Sequence, residues 1–119
     1  VGLRISNIME PPDYAAFPGW QGDPSIRRWN LWGYVDVRDV AQAIRRSLSA
    51  DVQAAEVCIV AADDTVMVRP SAELMAEVFP GVPLRGLIVG RQTLLSIDKA
   101  KALLGYVPEH RWQDELGGS

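Results

Sequence analysis

Gly33-Tyr34-Val35-Asp36-Val37-Arg38-Asp39-Val40-Ala41-Gln42-Ala43 carries the change of period on which the fold is read. Trp32 to Val37 is a short extended piece. From Asp36 onward Val37, Val40, Ala41, Ile44 and Leu48 fall at i, i+3, i+4, i+7 and i+11, one stripe of a 3.6-residue repeat. Asp36 stands where a helix cap is needed, and Asp39, three residues on, is placed as its acidic capping-box partner at the positive helix end. Arg45 and Arg46 fall in the closing turns, where cations meet the negative end. A strand handing straight over to an amphipathic helix is the unit around which the rest is placed.

Upstream, Leu3 to Met9 alternates apolar and polar residues and predicts a strand, with Leu3, Ile5 and Met9 on one face, ended by Pro11-Pro12. Asp13 to Leu31 is loop-like, with Pro18-Gly19 and Asp23-Pro24 as turn signals, yet it holds Tyr14, Phe17, Trp20 and Trp29. A loop so rich in aromatics is expected to fold over something. Downstream, Glu56 to Ala61 reads as a buried strand and Thr65 to Val68 as a weaker extended piece. Ser71 to Phe79 reads as a second helix, begun by Pro70 and stopped by Pro80-Gly81, with Ala72, Met75 and Phe79 or Leu74 and Val78 inward. Leu84 to Val89 is a candidate third strand, and Ser96 is placed to cap a last helix that ends at Gly105. The alternation of strands and helices predicts a mixed α/β lobe in one domain over 1–119.

Composition agrees. The chain has 119 residues, 48% hydrophobic and 23% charged, which suits one globular domain and excludes a disordered tail. A net charge of −3 argues against a phosphate-binding surface, so no nucleic-acid partner is expected. No apolar run is long enough to span a bilayer, so no membrane partner is expected either. One cysteine, Cys58, cannot form an internal disulfide, which favours a cytoplasmic location. The chain opens on Val1, already in extended apolar sequence, and closes on the flexible Gly117-Gly118-Ser119; it reads as part of a larger protein.

The sequence lacks a glycine-rich dinucleotide loop, a Walker loop, a Cys/His pair at metal spacing and a nucleophile elbow. No catalytic residue and no metal ligand is therefore nominated. His110, between Glu109 and Arg111, reads as a solvated surface residue, and Cys58 as an inert core thiol. Asp36/Asp39 and Asp63/Asp64 read as capping and turn residues. Trp20, Trp29 and Trp32 form either a ring platform for a sugar or the packing of a large loop.

Three separated segments resemble one family. Leu3-Arg4-Ile5-Ser6-Asn7-Ile8-Met9-Glu10-Pro11 is similar to the Leu-Arg-x-x-Asn-(Val/Ile)-x-x-Pro strand of the extended short-chain dehydrogenases/reductases, the NAD-dependent epimerase/dehydratase group. Gly33 to Ala43 resembles that family's Tyr-Val-His-Val-x-Asp-Val-Ala-x-Ala segment. Ile97-Asp98-Lys99-Ala100-Lys101-Ala102-Leu103-Leu104-Gly105-Tyr106-Val107-Pro108 resembles its closing Asp-x-x-Lys-Ala-x-x-x-Leu-Gly-Tyr-x-Pro.

What the resemblance implies is a substrate-binding portion from the carboxy-terminal part of a Rossmann-type NAD(P)-binding enzyme. The parent would use NAD or NADP, and this portion alone is expected to bind neither tightly. The nucleotide-binding domain would precede this chain as its partner, together with the catalytic Tyr-x-x-x-Lys. Tyr14, Tyr34 and Tyr106 are followed four residues on by Pro18, Arg38 and His110, so none belongs to that motif. By the resemblance Ile5 and Ser6 lie beside the cofactor and Asn7 faces the substrate. Trp20, Arg28 and Trp32 are the loop's candidate substrate contacts, with Arg27 a further source of anion binding. Leu31-Trp32-Gly33 replaces the Arg with which nucleotide-sugar enzymes of the group meet phosphate, and Asp36 replaces a His. Both departures point to a free sugar, a sugar acid or another small hydroxy or carbonyl compound. The alternative is a non-catalytic module that self-associates, as a homo-oligomer, through an exposed edge strand.

Overall fold

Asp36 caps as its position predicts: its Oδ1 accepts from the Arg38 backbone N–H at 2.8 Å, and helix α1 runs Val37–Ser49. In the computed structural model, which describes residues 1–52, 54–84 and 86–116, this junction follows directly from a strand of one of two short parallel sheets. Strand β1 (Gly2–Ile5) pairs with β4 (Val57–Val60), and β2 (Ile8–Met9) pairs with β3 (Val35–Asp36). The expected strand over Leu3 to Met9 is therefore split in two at Ser6-Asn7, and each half joins a different sheet. Helices α2 (Ser71–Val78), α3 (Asp98–Leu104) and α4 (Trp112–Glu115) complete a small mixed α/β domain.

The loop from Asp13 to Leu31 is more ordered than its turn signals predict. It forms two 3₁₀ segments, Pro11–Trp20 and Pro24–Asn30, whose buried aromatics fill the first of two cores. Tyr14, Phe17, Trp32, Tyr34 and Trp112 meet there with Met67 and Leu74 of the α2 side, largely edge to face. Each such large side chain, fully buried, contributes roughly 1.5–3 kcal/mol. The second core lies between the β1–β4 sheet and helices α1 and α3, built on Val40, Ala43, Cys58, Val60, Ala100 and Tyr106. Cys58 is the small core residue its apolar strand predicts.

Seven sequence expectations need correction. Trp32 is left-handed at φ 58°, so the extended piece over Trp32 to Val37 shrinks to Val35–Asp36, and Thr65 to Val68 joins no strand. Helix α1 buries Asp39, Val40, Gln42 and Ala43, whereas most of the predicted stripe faces outward, with Leu48 84% exposed. Asp39 is no capping-box partner: it is buried and turned away from the cap to accept from the backbone N–H groups of Glu109 and His110, both at 3.1 Å. His110 accordingly is not simply solvated, since its Nδ1 lies 3.0 Å from Asp39 Oδ1. Residues 84 and 86–89 form no strand, being largely exposed with no ladder beside them; Arg85 lies outside the described residues. Ser96 does not cap α3, whose cap position is Ile97, although Gly105 closes the helix at φ 67° as its lack of a Cβ allows. The expected glycine-serine tail at 117–119 also lies outside the described residues.

Candidate cleft at the end of strand β1

Ile5 registers opposite Val60, and Ser6 still donates its N–H to the Val60 carbonyl at 3.0 Å. One residue later the Asn7 carbonyl accepts from Val35 N–H at 2.9 Å. The chain thus leaves one sheet for the other between Ile5 and Ile8, and the parting opens a cleft of about 680 Å³ at the carboxyl end of β1. Ligands of open parallel sheets bind at that end, where strands diverge and leave polar groups unspent.

Ile5, Ser6, Asn7 and Ile8 form one wall; Trp29, Asn30 and Leu31 form the other, with Leu95 between. The second wall is shaped by two successive non-glycine residues in left-handed conformation, Leu31 (φ 55°) and Trp32 (φ 58°). Each costs about 1–2 kcal/mol, so surrounding contacts must hold it. They do: Trp32 N–H donates to the Arg27 carbonyl at 3.1 Å, and its indole N–H donates to the Pro24 carbonyl at 2.7 Å. Gly33 lets the walls close. A Cβ there would stand 2.7 Å from Leu95 Cδ1, 2.9 Å from Ser6 Oγ and 3.2 Å from the Asn30 carbonyl oxygen.

The polar groups facing the cleft are mostly unspent. Neither the Ser6 hydroxyl nor the Asn7 amide has a hydrogen-bond partner among the described residues. Asn30 donates Nδ2–H to the Gly33 carbonyl at 3.2 Å, but its buried Oδ1 accepts nothing. Trp29 is 69% exposed, an apolar plate at the cleft's rim.

The structure therefore brings Ile5, Ser6 and Asn7 together and separates the other nominated residues from them. Trp32 is wholly buried in the first core with its N–H committed, so it supports the cleft wall and does not line it. Trp20 packs on Phe17 with ring centroids 4.7 Å apart and likewise does not line the cleft. Arg28 is exposed and outside the cleft lining. Asn30, Leu31 and Leu95 line the cleft with no signal in the sequence; only the left-handed turn brings the first two in, and no residue pattern announces it.

Titratable groups elsewhere are tied up by one another. Burial works to raise the Asp36 carboxyl, but hydrogen bonds from Arg38 and Tyr14 outweigh it and hold it at about 2. Burial pushes Asp64 up to about 6 even though Tyr34 donates its hydroxyl to Oδ1 at 2.6 Å. Beside it the Arg111 guanidinium grips Asp63 through both oxygens, at 2.9 and 2.7 Å. The hydroxyls of Tyr14, Tyr34 and Tyr106 are committed to Asp36, Asp64 and the Ala61 carbonyl, and burial raises all three phenols above their ordinary range. None lines the cleft.

Among the described residues, no group of three or more His, Cys, Asp and Glu is arranged to hold a metal, and no helix is long and apolar enough to cross a membrane. No protein-family model matches the chain, and no curated protein or solved structure matches it.

Proposed function

We propose that this chain supplies the substrate side of the active site of an NAD(P)-dependent oxidoreductase or epimerase of the extended short-chain type. Its substrate would be a sugar, sugar acid or related small hydroxy or carbonyl compound. The observation that carries the reading is the cleft where β1 ends, with the Ser6 hydroxyl and the Asn7 amide unspent along its wall. These are the residues the family resemblance assigns to the cofactor edge and the substrate. They also fit the nicotinamide chemically: short neutral hydroxyl and amide groups beside an apolar Ile5 suit a carboxamide-bearing ring, which carries no negative charge, better than a phosphate.

When bound, the nicotinamide supplies or accepts the hydride. The work of this chain is positioning. Asn7 both donates and accepts, so it holds a substrate hydroxyl or carbonyl in register. Trp29 covers the reacting carbon and keeps water away. The proton-transfer group must come from outside this chain's cleft, because its tyrosines are spent in the cores.

Two surfaces support a covering nucleotide-binding half as the partner. Strand β1 is hydrogen-bonded on one edge only among the described residues, and the Ile44–Leu48 face of α1 is apolar and exposed. The same open edge favours a second reading, self-association of a non-catalytic module through β1. Turnover separates the two. The natural polypeptide that contains this chain should oxidise a hydroxy compound with NAD(P), and Asn7→Ala should lower kcat/KM at least about ten-fold. An inactive polypeptide that light scattering shows to be a dimer, dissociated by a proline placed in β1, would favour the module.

A further inference from the structure

Five residues that line the cleft are large and apolar: Ile5, Ile8, Trp29, Leu31 and Leu95. Three of them keep much of their surface in water, with Ile5 38%, Ile8 47% and Trp29 69% exposed. Apolar surface left open in a concavity is where covering by a ligand gains most. The rest of the lining is neutral, the Ser6 alcohol and the amides of Asn7 and Asn30. Among the described residues no ionisable side chain lines the cleft, and both Arg27 and Arg28 fall outside it. Polar and apolar groups also follow one another along the wall: Asn7 ends the crossing from β1, and Ile8, the next residue, opens β2 opposite Val35.

We infer that the cleft selects an uncharged deoxy sugar: Asn7 holds its hydroxyl edge, and a methyl substituent lies against Ile8 on one wall and Leu31 on the other. A methyl moved from water onto these side chains gains free energy in proportion to the area covered. A hydroxymethyl in the same place loses hydration without gaining a partner, which an apolar wall penalises only mildly. A carboxylate there lies against aliphatic carbon with no cation to meet it, the costliest of the three. The substituents thus rank methyl, hydroxymethyl, carboxylate. This assignment rests on the cleft being the substrate site proposed above and narrows its substrate class. It takes the sugar acid out of that class and makes Ile8 a specificity-determining residue.

The test uses the natural polypeptide containing this chain, with NAD or NADP present, and hexoses that differ only at carbon 6. D-Quinovose, D-glucose and D-glucuronate form one series; D-fucose, D-galactose and D-galacturonate form the other. Saturation-transfer NMR reads which sugar protons touch the protein, and competition ranks the affinities. In at least one series the methyl sugar should bind at least about ten-fold more tightly than the carboxylate, with the strongest saturation on its methyl protons. Ile8→Lys, at a half-exposed position, supplies a cation and should erase that preference, whereas Ile8→Val should keep it. Arg28→Gln should change neither affinity. A carboxylate that binds as tightly as its methyl counterpart in both series would overturn the assignment. So would strongest saturation elsewhere on the ring, a preference unmoved by Ile8→Lys, or no binding by any of the six sugars; NAD(P)-linked turnover of another hydroxy or carbonyl compound would then still stand for the proposed reaction. Methyl-sugar binding without turnover would keep the selective cleft and remove the reaction.

Discussion

Replacing Asp39 with Ala removes the hub that ties the carboxy-terminal segment to helix α1. Its carboxylate is 1% exposed and meets three groups: Glu109 N–H and His110 N–H at 3.1 Å, and His110 Nδ1 at 3.0 Å. A hydrogen bond to a charged acceptor is worth about 1.5–3 kcal/mol, and water re-satisfies the N–H of exposed Glu109, so the two remaining bonds put the loss at about 3–6 kcal/mol. For a domain of this size that lowers Tm by roughly 10–25 °C. Asp39→Asn keeps one acceptor oxygen and should cost about half as much. Hydrogen exchange locates the damage. Trp112 N–H, which donates to the Tyr34 hydroxyl at 3.1 Å, should exchange much faster once residues 107–111 detach, while the amides of β4 change far less. An Asp39→Ala protein melting within about 3 °C of the parent, or losing protection evenly over both cores, would refute the reasoning.

Gly33→Ala pushes a methyl against Leu95, Ser6 and the Asn30 backbone; thermal unfolding should show about 1–3 kcal/mol lost. Cleft ligands should bind more weakly although no group that touches them has changed. Asp64 is raised to about 6 in the folded chain, above its ordinary 3.8, so its contribution to stability is full below about pH 4 and is lost as pH rises through 6. Denaturant unfolding from pH 4 to pH 7 should therefore show a loss of about 2 kcal/mol that Asp64→Asn abolishes. A variant whose stability follows the parent's pH profile would contradict that assignment.

Local signals in the sequence were legible where one residue's chemistry decides the outcome. Asp36 caps, Gly105 turns left-handed, Pro11-Pro12 ends the ladder, and Cys58 sits in an apolar strand. The face of α1 was not legible, because Val37, Ile44 and Leu48 form the more hydrophobic stripe while Asp39 and Gln42 are drawn inward by backbone groups far along the chain. Periodicity records hydrophobicity, and here polar demand from residues 107–110 outweighs it. The cleft was half legible. The sequence marks Ile5, Ser6 and Asn7 together, but the opposite wall depends on the left-handed turn at Leu31-Trp32, which no alternation or spacing encodes. Trp32 is the instructive case, since an indole in an aromatic loop has the composition of a sugar platform and here fills a core.

The most direct measurement follows a deuterium atom. The natural polypeptide containing this chain is given reduced nicotinamide cofactor carrying deuterium at both hydrogens of the ring's 4-position and a panel of aldehyde and keto sugars, and the product is read by mass. One deuterium should appear on the former carbonyl carbon, with transfer slowed at least about ten-fold by Asn7→Ala. No transfer to any member of the panel, or transfer indifferent to Asn7, would contradict the proposed reaction.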